Sequence, residues 1–359
     1  MTDEQARRIS VLIAEDSPTQ REVLSYILEA SEEFHVVGTA EDGLQVIEKT
    51  EQLRPDIVLM DCRMPRMNGF EATRVIMERC PTPIVMVSSV QLDDEANNSF
   101  EAVRNGALAF LVKPVDPIGP EGAAARGELL NTLRLMSEVR VVRRRPILAD
   151  QPVRSEKLAR LPQGTIKYIA IGGSTGAPMI LAELLKTAAA SESLASILIV
   201  QHMAEGFVGS FANWLTTATR FPACVAEDGV VPEAGKAYLA PDRQHMGLDT
   251  RGRIRLSDDP PEEGFRPSAN HLFRSMANGH AGSTLAMVLT GMGRDGAMGL
   301  KVLHDAGART IAQSESTCVV YGMPKEAVAA GAVDLILNPR EIAAAIMVAG
   351  KGAKRGYRE

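Results

Sequence analysis

Short apolar runs of strand length recur along the chain, separated by stretches whose apolar positions follow a helical spacing. In the first third, "ISVLIAED", "PDIVLMD", "PIVMVSS" and "ALAFLVKP" read as strands, and "TQREVLSYILEAS" is an amphipathic helix between two of them. That alternation predicts a parallel sheet covered by helices on both sides. After "LVKPVDP" the pattern changes: "GELLNTLRLMSEV" is helical and runs into "RVVRRRPILADQPVRSEKLARLPQG", rich in charge and proline. A second alternating series begins at "IKYIAIGG" and continues through "SILIVQH", "KAYLAP", "TLAMVLTG" and "ARTIAQ". The expected fold class is α/β with two doubly wound parallel-sheet domains, one over 8–125 and one over 165–350, joined by a helix and linker over 126–164.

Composition narrows the function classes. The chain has 359 residues, 45% of them hydrophobic, enough to fill two cores. A formal net charge of -6 argues against a nucleic-acid partner, which calls for a basic footprint. Cys62, Cys80, Cys224 and Cys318 stand far apart without a CxxC pair, so neither a zinc site nor a disulfide framework is indicated, and a reducing cytoplasm is expected. No apolar stretch approaches the roughly 20 residues that span a bilayer, so direct membrane insertion is not expected.

In a doubly wound sheet the working groups gather at the carboxyl ends of the strands. In the first half those ends carry Glu15 and Asp16, then Asp61, then Ser88, and finally Lys113. Three clustered carboxylates call for a hard cation with oxygen ligands, and Mg2+ suits that task. An aspartate beside Mg2+ can attack a phosphoryl donor, with Lys113 stabilising the phosphoryl oxygens and Ser88 bonding them afterwards. Singly, Ser88 reads as a helix cap, Lys113 as a solvated charge and Asp61 as a turn former; together, in strand order, they point to a phosphoacceptor pocket. Residues 8 to 118 resemble the receiver domain of two-component response regulators. The resemblance implies a flavodoxin-like fold, Asp61 as phosphoacceptor, Glu15, Asp16 and Asp61 as Mg2+ ligands, and Ser88, Phe110 and Lys113 as the switch set. Asn68 stands where that family often has Asp, and either suits the turn.

The second half opens on "IAIGGSTGAPMI", a strand, a glycine turn and a helix start. A phosphate site is one reading, because a helix N-terminus offers free N–H groups to an anion. The G-x-G-x-x-G frame and the lysine of the G-x-x-x-x-G-K-[ST] loop are both missing. Gly172-Gly173-Ser174-Thr175-Gly176 instead fits G-x-S-x-G, which holds a serine exposed on a sharp turn. A nucleophile needs a base and an orienting acid. His202 directly follows "SILIV" and is the best-placed base; His245 could line the pocket, His271 is expected on a helix, and His280 and His304 read as structural. Asp295, in the glycine-rich loop after "TLAMVLTG", is the third group at a strand end. The order Ser, His, Asp differs from that of the α/β-hydrolases.

"IGGSTGAP", "VQHMAEGF", "APDRQHM", "RPSANHLF", "LTGMGRDGAMG" and "AQSESTCVVYGMPKEA" together resemble the catalytic domain of the protein-glutamate methylesterases of bacterial chemotaxis, over about residues 166 to 346. The resemblance implies a Rossmann-like domain that hydrolyses glutamyl methyl esters on a methyl-accepting chemoreceptor, in some members also deamidating glutamine. Ser174, His202 and Asp295 would be catalytic, with no cofactor in this half. Backbone N–H groups at the Met292 loop and at the helix start beyond Ser174, with Thr175 nearby, would hold the oxyanion. A histidine kinase would phosphorylate Asp61 and relieve masking of the catalytic domain by the receiver, and the chain would act as a monomer. Ala177 and Asn270 stand where the family often has Gly and Asp. Met246, Met292 and Met323 either line the cleft or belong to the core. The rival readings are a phosphorylation-gated binding or scaffold protein, the same esterase serving a pathway other than motility, and a DNA-binding regulator, which lacks a basic domain.

Overall fold

The computed structural model describes residues 8–88, 107, 109–113, 119, 122–139, 166–190, 195–203 and 205–353. The charged linker, including "VRRRP", lies outside the described residues. The chain divides into two units, Met1–Ala149 and Asp150–Glu359.

The first unit has five strands, β1 (Ile9–Ala14), β2 (Phe34–Ala40), β3 (Ile57–Asp61), β4 (Ile84–Ser88) and β5 (Ala109–Val112), in the order β2-β1-β3-β4-β5 with every pair parallel. This is the flavodoxin-like order, and its switch point lies between β1 and β3, where Glu15, Asp16 and Asp61 emerge. The helices start where the sequence supplies caps. Ser17 accepts from Gln20 N–H and Pro18 occupies the first position of α1 (Pro18–Glu29). Asp42 caps α2 (Gly43–Leu53), and Asn68 with Glu71 forms a capping box on α3 (Gly69–Arg79). A fourth helix, α4 (Ala123–Ser137), crosses the expected boundary at 125 and packs on this sheet, burying Leu129, Leu133 and Met136.

The second unit has seven parallel strands in the order β14-β13-β12-β6-β7-β9-β8: β6 (Tyr168–Gly173), β7 (Ser196–Gln201), β8 (Ala223–Val225), β9 (Ala237–Leu239), β12 (Thr284–Val288), β13 (Arg309–Gln313) and β14 (Leu335–Leu337). The chain leaves β6 toward β7 on one side and returns through β12 on the other, so the switch point lies beside β6. Its helices are α5 (Ala177–Ala190), α6 (Val208–Thr219), α7 (Ala269–Ala277), α8 (Ala297–Asp305), α9 (Met323–Ala329) and α10 (Pro339–Ala353). The sequence gives no warning of an antiparallel hairpin, β10 (His245–Leu248) with β11 (Ile254–Ser257), which packs against α7. Phe273, Leu272, Met276, Met246 and Val288 are among the side chains filling the core between α7, the hairpin and the sheet. No helix among the described residues is long and apolar enough to cross a membrane.

Candidate active site

Three neighbouring strands of the second sheet, β12, β6 and β7, end in the three residues singled out above. Ser174 follows β6, His202 follows β7, and Asp295 stands in the loop between β12 and α8. The register carries β6 and β7 to a common end, Gly173 opposite Gln201, and His202 N–H then donates to Gly173 O at 3.0 Å. Gln201 Nε2 donates to Ser174 O at 3.0 Å, tying the two strand ends together. The turn at Ser174 is tight. Its N–H donates to Thr290 O and its carbonyl accepts from Ala177 N–H, each at 3.1 Å, while Gly176 has φ +81°. Gly291 lies so close that a Cβ there would stand 2.7 Å from Ser174 Cβ, which is why the loop after β12 needs glycine at that point. Ala177 is fully buried against Gly173, so its methyl group packs the turn from within.

His202 Nε2 lies 2.9 Å from Asp295 Oδ2. The other ring nitrogen, Nδ1, is buried and has no hydrogen-bond partner among the described residues. Asp295 is fully buried and saturated with donors: Ser268 Oγ at 2.6 Å, Asn270 N at 3.0 Å and Gly296 N at 2.9 Å on Oδ1, and Ala269 N at 2.7 Å on Oδ2. Burial alone would raise its pKa, but the hydrogen bonds from His202, Ser268 and Asn270 outweigh it and hold the carboxyl below its ordinary value. Ala269 and Asn270 are the first residues of α7, so the carboxylate also sits at a helix N-terminus. One face of the imidazole is covered by Phe265, the two rings lying parallel with centroids 4.0 Å apart.

His245 does not reach Ser174 or His202 by hydrogen bond. It is fully buried, stacks on His271, and accepts Ser268 N–H at Nδ1 at 3.2 Å while its Nε2 meets Pro260 O at 3.1 Å. Its place is therefore behind Asp295. His271 rides α7 as expected, and burial lowers its pKa, with His245 adding to the effect. His280 bonds Asp249 O, and His304 lies between Asp305 and Asp334, both outside this site. Asn270 is buried, and its Oδ1 accepts from Gly299 N–H at 2.7 Å, supplying a cap for the first turn of α8 that its own N-cap, Gly296, lacks. Met246 and Met323 belong to the core, and Met292 is half-buried. Thr175 and Met292 N–H groups find no acceptor among the described residues.

Sequence reasoning passed over Ser268, Phe265 and Thr290. Ser268 had a readable signal, a serine before a helical pattern in "RPSANHLF", and it does cap α7 through His271 N–H. Thr290 clasps two loops, its Oγ1 donating to Thr175 O at 3.0 Å and accepting from Val320 N–H at 2.9 Å. No local pattern announces Phe265 or Thr290.

In the first unit, one carboxylate oxygen from each of Glu15, Asp16 and Asp61 lies within 4.8 Å of the others. Lys113 Nζ stands 2.7 Å from Glu15 Oε2 and 3.2 Å from Asp61 Oδ1, and its N–H donates to Ser88 O at 2.8 Å. Burial pushes the Asp61 carboxyl up to about 6; the Lys113 charge opposes this and Glu15 adds to it. The Lys113 ammonium is held above its ordinary value, because the hydrogen bond to Glu15 and the charge of Asp61 outweigh the effect of its own burial. One cation among three acids leaves uncompensated negative charge, and all the donors are hard oxygens, so the set fits Mg2+. Ser88 is buried at the end of β4, and Phe110 is half-buried in β5.

Comparison with known proteins bears on both units. Residues 169–346 match the CheB methylesterase family and residues 11–119 the response regulator receiver domain. The chain is 42% identical to "Protein-glutamate methylesterase/protein-glutamine glutaminase 1" of Syntrophus aciditrophicus (strain SB), over 93% of this chain and 96% of that one. It is likewise 42% identical to "Protein-glutamate methylesterase/protein-glutamine glutaminase 4" of Myxococcus xanthus (strain DK1622), over 96% and 98% of the two chains. Among solved structures, the CheB methylesterase catalytic domain of Thermotoga maritima is similar at 32% identity, covering 51% of this chain and 97% of that one with a TM-score of 0.48.

Proposed function

The chain belongs to the CheB methylesterase family with a response regulator receiver domain, and from that premise we propose that it hydrolyses glutamyl methyl esters on a chemoreceptor in the cytoplasm, releasing methanol under control of Asp61 phosphorylation. The observation that carries this reading is the state of His202: Nε2 committed to Asp295 at 2.9 Å, Nδ1 buried with no partner among the described residues, in the residue after the strand that pairs with the Ser174 strand.

With Nε2–H donated to Asp295, Nδ1 carries the lone pair and is the basic nitrogen. Ser174 Oγ attacks the ester carbonyl carbon as its proton passes to His202 Nδ1. Asp295 stabilises the imidazolium so formed. The carbon–oxygen bond to the methoxy group breaks, the proton on Nδ1 goes to that oxygen, and methanol leaves. Water then gives a proton to Nδ1 and adds to the acyl carbon; Ser174 departs with that proton and glutamate is the product. The same steps on a glutamine side chain release ammonia. The tetrahedral oxyanion would be held by the Thr175 and Met292 N–H groups, each such donor being worth about 100 to 1000-fold in rate.

In the receiver, Asp61 attacks the phosphoryl group of a donor such as a phosphohistidine kinase, the donor's histidine leaving. Bound Mg2+, held by Glu15, Asp16 and Asp61, would neutralise charge on the phosphoryl oxygens. Lys113 pairs with an oxygen of the aspartyl phosphate, and Ser88 and Phe110 rearrange around it, shifting the receiver away from the state that masks the catalytic domain.

Methanol release from methylated receptor membranes by the full chain, with and without acetyl phosphate and Mg2+, tests both parts. Release that rises with the phosphodonor, vanishes in Ser174→Ala and loses only its stimulation in Asp61→Asn is expected. No release under any of these conditions would favour the binding-protein reading.

A further inference from the structure

Between β11 and α7 the chain makes a two-residue hairpin that bears directly on His202. Glu262 and Phe265 exchange both backbone hydrogen bonds, Glu262 N–H to Phe265 O at 3.0 Å and Phe265 N–H to Glu262 O at 2.8 Å. The two residues between them, Glu263 at φ +52° and Gly264 at φ +85°, both have left-handed backbone, as a type I′ turn requires. Such a turn fixes the register of its flanking residues, so Phe265 has one place to go.

The hairpin is secured from two directions. Glu262 pairs with Arg274 and lies 3.4 Å from His271 Nδ1, both on α7. Glu263 Oε2 accepts from Arg294 Nε at 2.6 Å, and Arg294 is the residue before Asp295. Arg266 adds a hydrogen bond to Asp258 O at 2.8 Å across the base of the loop. Individually these exposed contacts are weak, but together they place the ring between the helix that caps Asp295 and the loop that carries it. The consequence is the flat stack on His202, with planes 1° from parallel.

We propose that Phe265 is a positioning residue for His202, a clamp that fixes the plane of the imidazole so that Nε2 stays on Asp295 and Nδ1 stays open. The single hydrogen bond at Nε2 is a pivot about which the ring can tilt; an aromatic ring lying on the face removes that freedom and keeps water off that side. This inference rests on the reading of His202 as the base.

The test uses the full chain with 15N-labelled histidine, comparing wild type, Phe265→Ala, Phe265→Leu and Phe265→Tyr. In the wild type the His202 Nε2–H resonance is expected to exchange slowly with water. Phe265→Ala should speed that exchange and lower kcat about tenfold with KM little changed, a stack of this kind being worth at most about one factor of ten. Phe265→Tyr should restore both. If Phe265→Ala fails to fold, as judged by circular dichroism, Phe265→Leu takes its place with the same expectation. Unchanged Nε2–H exchange and unchanged kcat would overturn the clamp; so would a rise in KM with exchange unchanged, which would assign Phe265 to substrate contact. If the wild type hydrolyses no ester, the functional reading fails, while the exchange measurement still decides whether Phe265 holds the ring.

Discussion

His202 meets Asp295 through Nε2, 2.9 Å from Oδ2, and leaves Nδ1 buried without a partner among the described residues. In the chymotrypsin arrangement the acid holds Nδ1 and Nε2 faces the nucleophile. Here the acid meets Nε2 instead. The acid comes from the loop after β12 and is held at the N-terminus of α7, where the Ala269 and Asn270 amides donate to it. Asp295→Asn is therefore expected to present an amide NH2 to donors that now point at oxygen, Ala269 N–H among them. We expect kcat to fall about 10,000-fold, as for the corresponding acid in serine proteases, with a loss of about 1 to 3 kcal/mol in stability from the broken pairing. Steady-state kinetics and thermal unfolding check the two effects separately.

Ser174→Ala should behave in the opposite way. The Ser174 hydroxyl has no hydrogen-bond partner among the described residues, so its removal should leave the melting temperature within about 1 degree while kcat falls roughly a millionfold. The thiols offer a control on the nature of the nucleophile. Burial pushes Cys318, in a loop that contacts the Ser174 turn through Val319, up to about 12. Iodoacetamide at pH 8 should leave turnover intact, and rapid inactivation would point to a thiol instead.

Asn270→Ala should destabilise the second unit by about 1 to 3 kcal/mol, because Gly299 N–H loses its acceptor in a buried place. Asn270→Asp keeps an acceptor oxygen there and should lose less, even though it adds a charge near Asp295. Equal losses in denaturant titrations of the two variants would mean that the cap on α8 is not what Asn270 contributes.

Asp61 gives a pH signature. Its folded pKa is raised from 3.8 to about 6, so the folded receiver holds the proton more tightly than the unfolded chain does. Stability contributed by the neutral carboxyl is full below about pH 4 and is lost as pH rises through about 6, with a ceiling of roughly 3 kcal/mol. Asp61→Asn should thus become more stable than the wild type across that window, the difference levelling off above it. Mg2+ should recover the deficit in the wild type and do little for Asp61→Asn. Differential scanning calorimetry between pH 4 and 8 reads both.

The strands that bear the site were legible because they are inner strands. Β-strands such as Tyr168–Gly173, Ser196–Gln201 and Thr284–Val288 are buried along most or all of their length, so they appear as unbroken apolar runs that stop at Ser174, His202 or the glycine loop before Asp295. Phe34–Ala40, Ala223–Val225 and Leu335–Leu337 passed unnoticed: all three are outer strands, half-exposed and, in two cases, three residues long, whereas the outer strand Ala109–Val112 stands out through its unbroken apolar sequence. Residue roles divided the same way. Ser174 and His202 announce themselves at strand ends, whereas Ser268 and Ala269 reach Asp295 from 27 and 26 positions away. Phe265 depends on a turn whose first central residue is a glutamate, a residue that does not advertise left-handed backbone.

The saturation of Asp295 also binds chemistry to folding dynamics. The first turn of α7 has amides that need acceptors, and Ala269 and Asn270 N–H both find theirs in the carboxylate that orients His202. Fraying of that turn exposes the amides and releases the acid in one event, so this end of the helix and the Asp295–His202 pair open as a single cooperative unit. Protection of those two amides from deuterium exchange is then a substrate-free gauge of the fraction of molecules in which the Asp295–His202 pair is intact.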